Sequence, residues 1–314
     1  DFTGDSFKLA QHAAAQERAE YVLFCGVHFM AESADILTRP EVTVVLPNMA
    51  AGCSMADMAD PEDVYEAWDI ITGALGDDHR VIPITYMNSA ASLKAFVGER
   101  EGIVCTSSNA PKTFDYAFER GDKILFFPDQ HLGRNTGYEM GIPLDEMVTW
   151  DYRQPNGGLT VDELRHAKVI LWKGHCSTHQ RFSVAQVEKA RADYPGVNVI
   201  VHPECSWEVV QSADYNGSTE KIIRTISDAP AGTTWAVGTE INLVSRIAAE
   251  NPDKTIFSLD PVVCPCSTMY RIHPAYIAWT LEALAAGYVR NEVRVDDETR
   301  KWSLVALERM LALP

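Results

Sequence analysis

Cys53, Cys176 and Cys266 each follow a strand-like run and sit beside glycine or proline. Three thiolates from such distant turns suit a 4Fe–4S cluster whose fourth iron keeps an open position. An iron of that kind acts as a Lewis acid toward a substrate oxygen or nitrogen. The spacing alone also fits plain packing, because a free cysteine behaves as a small buried hydrophobe. The chain has seven cysteines, the others being Cys25, Cys105, Cys205 and Cys264. An odd number in so long a chain argues against a disulfide scaffold and for a reducing compartment. No zinc-type pair of CxxC motifs occurs, and Cys264-Pro265-Cys266 is too tight for most structural zinc knuckles. Further groups with chemical capacity close other runs: Tyr86 and Asn88, Pro128-Asp129-Gln130-His131, Gly174-His175-Cys176, and His202-Pro203-Glu204.

The elements that must position these groups are short. Nearly continuous apolar runs cover residues 21–25, 42–46, 81–85, 123–127, 169–172, 197–201, 233–237 and 255–259. Such runs are expected for parallel strands buried on both faces. Helical patterns lie between them, at 63–75, 184–192, 218–226 and 240–249. Strand–helix alternation predicts α/β layers with right-handed crossovers. Ligands in such folds bind outside the carboxyl ends of the strands, where the polar groups above fall. Two segments read as insertions or linkers: an acidic helix and loop at 60–78, and a polar surface excursion at 135–158. The tail from 274 reads as mostly helical, with a charged extended piece near 292–295.

Composition narrows the function. With 314 residues, 46% hydrophobic and 23% charged, the chain can bury a large core and form two or three domains. Its net charge of −17, with no basic stripe, excludes a typical nucleic-acid binder. An anionic substrate must then be held locally, by helix N-termini and small hydroxyls. No apolar run reaches the roughly 18–20 residues of a membrane helix. The opening Asp1-Phe2-Thr3-Gly4-Asp5-Ser6 reads as a polar turn rather than a signal peptide.

Seven short motifs occur in order: Gly26-Val27-His28-Phe29-Met30-Ala31-Glu32, LPNMAAGCSMADM at 46–58, Tyr86-Met87-Asn88-Ser89, Pro128-Asp129-Gln130-His131-Leu132-Gly133-Arg134, Gly174-His175-Cys176-Ser177-Thr178-His179, His202-Pro203-Glu204 and Gly217-Ser218-Thr219. Together they resemble the quinolinate synthase family over nearly the whole chain. The resemblance implies three pseudo-symmetric α/β/α domains with parallel sheets around a central cleft. These are expected at 1–78, at 79–172 with the insertion 135–158, and at 173–314, with the C-terminal tail packing on the first. It implies condensation of iminoaspartate with dihydroxyacetone phosphate to quinolinate, with loss of phosphate and two waters, in cytoplasmic NAD biosynthesis. It further implies functional coupling to L-aspartate oxidase or dehydrogenase.

By motif, Cys53, Cys176 and Cys266 become the ligands of a 4Fe–4S cluster, with Cys264 rejected. Cys25 and Cys205 are assigned to packing. Glu204 becomes the general acid/base beside His202, its pKa raised by burial so that it serves both directions near neutral pH. Tyr86 joins these as a catalytic donor, and Asn88 holds substrate. Ser6, Ser107, Ser218 and Thr219 match anion-binding hydroxyls, the last two at a helix N-terminus. His179 lines the substrate site, and Arg134 reads as a salt-bridge or capping residue. Family members carry a strand ending in His-Tyr upstream of the Gly-Asp-Ser turn, and here that turn is Gly4-Asp5-Ser6. The expectation held beside the enzyme is therefore an N-terminally truncated, non-catalytic iron–sulfur binding homologue.

Overall fold

A computed structural model describes residues 2–262 and 265–313. The first segment forms α1 (Ser6–Ala14), β1 (Tyr21–Leu23), α2 (His28–Leu37), β2 (Thr43–Val45) and α3 (Pro61–Leu75). The middle segment forms β3 (Val81–Tyr86), α4 (Ala91–Glu99), β4 (Ile103–Cys105), α5 (Ala110–Phe118), β5 (Lys123–Phe127), α6 (Gln130–Glu139), β6 (Met147–Trp150), α7 (Val161–His166) and β7 (Val169–Trp172). Next come α8 (Val184–Asp193), β8 (Asn198–Val201), α9 (Trp207–Ser212), β9 (Tyr215–Asn216), α10 (Thr219–Ser227), β10 (Thr234–Gly238), α11 (Ile241–Glu250) and β11 (Thr255–Ser258). The tail forms α12 (Pro274–Ala285), β12 (Glu292–Val293) and α13 (Asp297–Leu311).

Three sheets result. The central one has the order β4-β3-β5-β7-β6 and is parallel throughout. All residues of β3, β5 and β7 are buried, so Val, Ile, Leu and Phe face helices on both sides. A second parallel sheet has the order β11-β10-β8-β9. In the third, β1 pairs parallel with β2, and β12 adds antiparallel to β2. The fold is thus α/β, with parallel sheets flanked by helices. No described helix is long and apolar enough to cross a membrane.

Caps set the helix starts. Asp60 accepts from Glu62 N, Pro61 occupies the first turn, and Glu62 and Asp63 complement the helix dipole of α3. Asp129 does the same for α6, accepting from His131 N and Leu132 N. That helix also sits close on the central sheet. A Cβ at Gly133 would lie 2.5 Å from Leu171 Cδ2 and 2.7 Å from Phe126 Cδ1, a separation only glycine allows.

The expected surface excursion at 135–158 is corrected here. Residues up to 139 complete α6, and β6 is the edge strand of the central sheet beside β7. Asn135 and Trp150 are buried. The tail divides between two bodies. Its β12 extends the first sheet, whereas α13 lies on α4 and β4 of the central unit. There Ser303 donates to Ala91 O at 2.9 Å, and Arg309 donates to Gly98 O and Gly102 O. Arg300 pairs with Asp35 of α2 at 2.7 Å, joining the tail back to the first segment.

Candidate active site

Glu204 lies in the turn after β8 and is 3% exposed. An unpaired carboxylate in that setting costs several kcal/mol of lost hydration. Side chains from two other strand ends offset the cost. The Tyr86 hydroxyl, at the end of β3, donates to Glu204 Oε1 at 2.8 Å. His179 Nδ1, from the turn after β7, donates to Oε2 at 2.9 Å. A hydrogen bond to a charged group contributes about 1.5–3 kcal/mol. His202 Nδ1 stands 3.8 Å from Oε1, and its ring stacks on His179 with centroids 4.6 Å apart. On the far side of His179, Nε2 lies 3.2 Å from Thr239 Oγ1, which fixes the ring.

These contacts decide the protonation states. The expectation of a raised Glu204 is corrected. Burial does oppose its charge, but His202 and His179, with the hydrogen bonds from His179 and Tyr86, hold it below the usual carboxylate range. Burial also opposes charge on His179, yet Cys176 and Glu204 outweigh it and hold that imidazole well above its ordinary value. For His202 burial wins over Glu204, bringing it down to about 4. Burial and then Glu204 keep the Tyr86 phenol protonated. The resting cluster is therefore a carboxylate, an imidazolium, a neutral imidazole and a phenol.

Cys176 completes this group. Its Sγ, a His179 nitrogen and a Glu204 oxygen lie within 4.8 Å of one another, a set able to hold a metal ion. Cys53, in the turn after β2, is close enough to Cys176 to feel its charge. Burial first, with Cys176 adding to it against the main-chain donors of Ala56 and Met55, pushes the Cys53 thiol up to about 12. Such a thiol ionises only beside a compensating cation, which is what a bound metal supplies. The flanking Ser54 and Ser177 hydroxyls meet at 3.5 Å. Cys266 lies after β11, its N–H donating to Glu240 Oε1 at 3.3 Å and its Sγ 3.3 Å from Thr268 Oγ1. The rejected Cys264 falls outside the described residues. Cys105 and Cys205 are buried, and Cys25 is exposed.

A cavity of about 390 Å³ opens between α6 and α10, with Ser107, Asn135, Glu139, Ser218, Lys221 and Arg224 in its wall. Ser218 caps α10, accepting from Lys221 N at 3.4 Å. The Lys221 stem folds back over Gly217, where a Cβ would lie 2.4 Å from Lys221 Cδ. Glu220 also lines the cavity and lies 3.7 Å from Lys8. Among the described residues neither Lys221 nor Arg224 has an ion-pair partner. Pro203, next to Glu204 in the chain, also lines this cavity and links it to the Glu204 cluster.

The residue pattern now has an independent comparison. The family model described as quinolinate synthetase A protein matches residues 1–312. A quinolinate synthase of Corynebacterium glutamicum is 59% identical over 313 residues, covering all of this chain and 79% of that protein. One of Streptomyces coelicolor is 57% identical over 317 residues, with 100% and 80% covered. One of Geobacillus kaustophilus is 54% identical over 314 residues, with 100% and 84% covered. The chain belongs to this family. It is an enzyme of the quinolinate synthase family, and the non-catalytic reading is not favoured.

Within that family frame, the structure gathers Tyr86, His179, His202, Glu204 and Cys176 into one cluster, and puts Ser107 and Ser218 in the adjoining cavity wall. Ser6 Oγ donates to Asn88 Oδ1 at 3.5 Å. Thr219 opens α10 beside Ser218 but does not line the cavity. Arg134 donates to Thr149 Oγ1 at 2.8 Å, bracing α6 on β6. Sequence reasoning missed Thr239, Asn135, Lys221 and Arg224. Lys221 carried a signal, since it stands three residues after the helix-capping Ser218. Asn135 and Thr239 carried none, because their partners come from distant segments.

Proposed function

We propose that this chain is a cytoplasmic quinolinate synthase of NAD biosynthesis, condensing iminoaspartate with dihydroxyacetone phosphate to quinolinate with release of phosphate and two waters. The observation that carries the reading is Glu204, buried and ionised between Tyr86 and His179 and next to Cys176. Cys53, Cys176 and Cys266 would hold a 4Fe–4S cluster, and their soft thiolate donors suit iron. When bound, that cluster supplies a Lewis-acidic iron with an open position.

The protein's own groups divide the remaining work. Glu204 is the base that takes protons from the condensing substrates. His179, held as imidazolium, returns a proton to a departing hydroxyl, and Glu204 recharges it through their 2.9 Å hydrogen bond. The neutral Tyr86 phenol donates to developing negative charge on oxygen. Lys221 and Arg224, with Ser218, Ser107 and the α10 N-terminus, supply the local positive field that the net charge of −17 denies the molecule as a whole. They hold the phosphate and stabilise it as it leaves. An L-aspartate oxidase or dehydrogenase is the class of partner that would supply iminoaspartate.

Anaerobic reconstitution tests the reading. The expected outcome is a brown, oxygen-sensitive protein with about four irons per chain that forms quinolinate from the two substrates. Cys266→Ala is expected to lose iron and turnover, and Cys264→Ala to keep both. Colourless wild-type protein without turnover would defeat the assignment, and the reverse order of the two variants would move the third ligand to Cys264.

A further inference from the structure

We propose that Asn135 is a positioning residue for Glu204, holding the main chain on both sides of that carboxylate from the face of α6. The role rests on the reading of Glu204 as the proton-transfer group. Asn135 Nδ2 donates to Pro203 O at 2.8 Å and to Cys205 O at 2.9 Å, so its two amide hydrogens bracket residue 204. The amide orientation is fixed by these bonds, since only the nitrogen end can donate to two carbonyls. Asn135 Oδ1 has no partner among the described residues, so nothing else orients the group.

The clamp joins two separate bodies. Asn135 is 2% exposed and belongs to the helix packed on the central sheet, whereas residues 202–205 follow β8 of the neighbouring sheet. The helix is a firm anchor. Asp129 caps it with bonds of 2.7 and 2.8 Å, and Gly133 lets it rest directly on Phe126 and Leu171. The clamped turn is buried, Cys205 at 0% and Glu204 at 3% exposure. Neither the Pro203 nor the Cys205 carbonyl accepts a main-chain hydrogen bond among the described residues. Glu204 is thus held at its carboxylate by Tyr86 and His179, at its own N–H by His202 Nδ1 at 3.3 Å, and at the carbonyls on either side by Asn135. Without the amide, two buried carbonyls lose their partners and the turn must shift to find others. A shift of about 1 Å in a reacting group costs on the order of a hundredfold in rate.

Two variants separate positioning from packing. Asn135→Leu keeps the volume and removes both donors, whereas Asn135→Ser leaves a void but retains one donor. In reconstituted protein, Asn135→Leu is expected to lower kcat about ten- to hundredfold with KM within about threefold. Asn135→Ser is expected to lose less. Hydrogen exchange in residues 202–206 should be fastest in Asn135→Leu and intermediate in Asn135→Ser. A packing role predicts the opposite order, with Asn135→Ser the worse variant and residues 202–206 unchanged, and that result overturns the proposal. Wild-type kcat in Asn135→Leu overturns it too. If Asn135→Leu does not fold, Asn135→Ser against wild type still decides, by faster exchange at 202–206 or its absence. Wild-type protein that forms no quinolinate would instead remove the role of Glu204, while the exchange comparison would still test the clamp.

Discussion

Two polar regions adjoin at Pro203 and are built on opposite plans. Around Glu204 every charge has a partner: the carboxylate takes bonds from Tyr86 and His179, and the imidazolium faces the carboxylate and Thr239. In the neighbouring cavity Lys221 and Arg224 have no ion-pair partners among the described residues, and the nearby Glu220 is engaged by Lys8. The first arrangement fixes atoms before substrate arrives, which is what proton transfer needs. The second leaves Lys221 and Arg224 without direct partners in a wall they share with Glu139 and Glu220, so that an anion can complete them. A buried cluster reports chemistry through its satisfied bonds, and a binding cavity reports its ligand through what it lacks.

The largest effect should come from the satisfied region. Glu204→Gln keeps the shape of the side chain but removes the charge that orients His179. Turnover is expected to fall about 10²–10⁴-fold, with KM changed little and iron content unchanged. Steady-state kinetics beside an iron assay checks this. A variant that loses affinity rather than rate would place Glu204 in binding and erase the contrast between the regions.

Lys221→Ala addresses the unsatisfied region. Loss of one charge-assisted contact to phosphate is worth about 1.4 kcal/mol, or tenfold. The expected outcome is a KM for dihydroxyacetone phosphate raised about tenfold, while KM for iminoaspartate stays near that of the wild type. Equal losses for both substrates would show that Lys221 acts through the general field. A pure kcat loss would make it part of the reacting group.

Much of this was legible in the chain. Tyr86, Cys176 and Glu204 could be placed because short strands buried on both faces must be parallel, and parallel strands put their carboxyl ends on one edge. The segment 135–158 was misread for a physical reason. As an edge strand β6 is only partly buried, with Val148 and Thr149 half-exposed, so it lacks the continuous apolar run that marks the inner strands. The surrounding Pro143, Pro155, Gly157 and Gly158 then read as a loop. Asn135 and Thr239 were invisible because their partners lie 68–70 and 60 residues away, and no local spacing encodes that. Burial of Glu204 and His202 beside it were foreseen, but not the hydrogen bonds from His179 and Tyr86 that help reverse the effect of burial on its charge.

The smallest prediction concerns an acid that stands apart from both plans. Asp129 is fully buried, and its Oδ1 caps α6, while Oδ2 has no partner among the described residues. Burial first, with Glu204 adding to it, pushes its carboxyl up to about 8. Between the ordinary aspartate value near about 4 and that raised value, the folded protein binds a proton that the unfolded chain has released. Stability contributed at this site therefore falls as pH rises through that window. The amide introduced by Asp129→Asn would keep the capping oxygen and carry no titrating proton. The variant should accordingly match the wild type in melting temperature at the acid end of the window, where the aspartic acid is protonated in the folded and unfolded chain alike. It should then gain on the wild type steadily toward the alkaline end, by a few degrees for each kcal/mol recovered. A constant difference across that range would mean that Asp129 stays ionised, and that the buried region tolerates one charge without a partner after all.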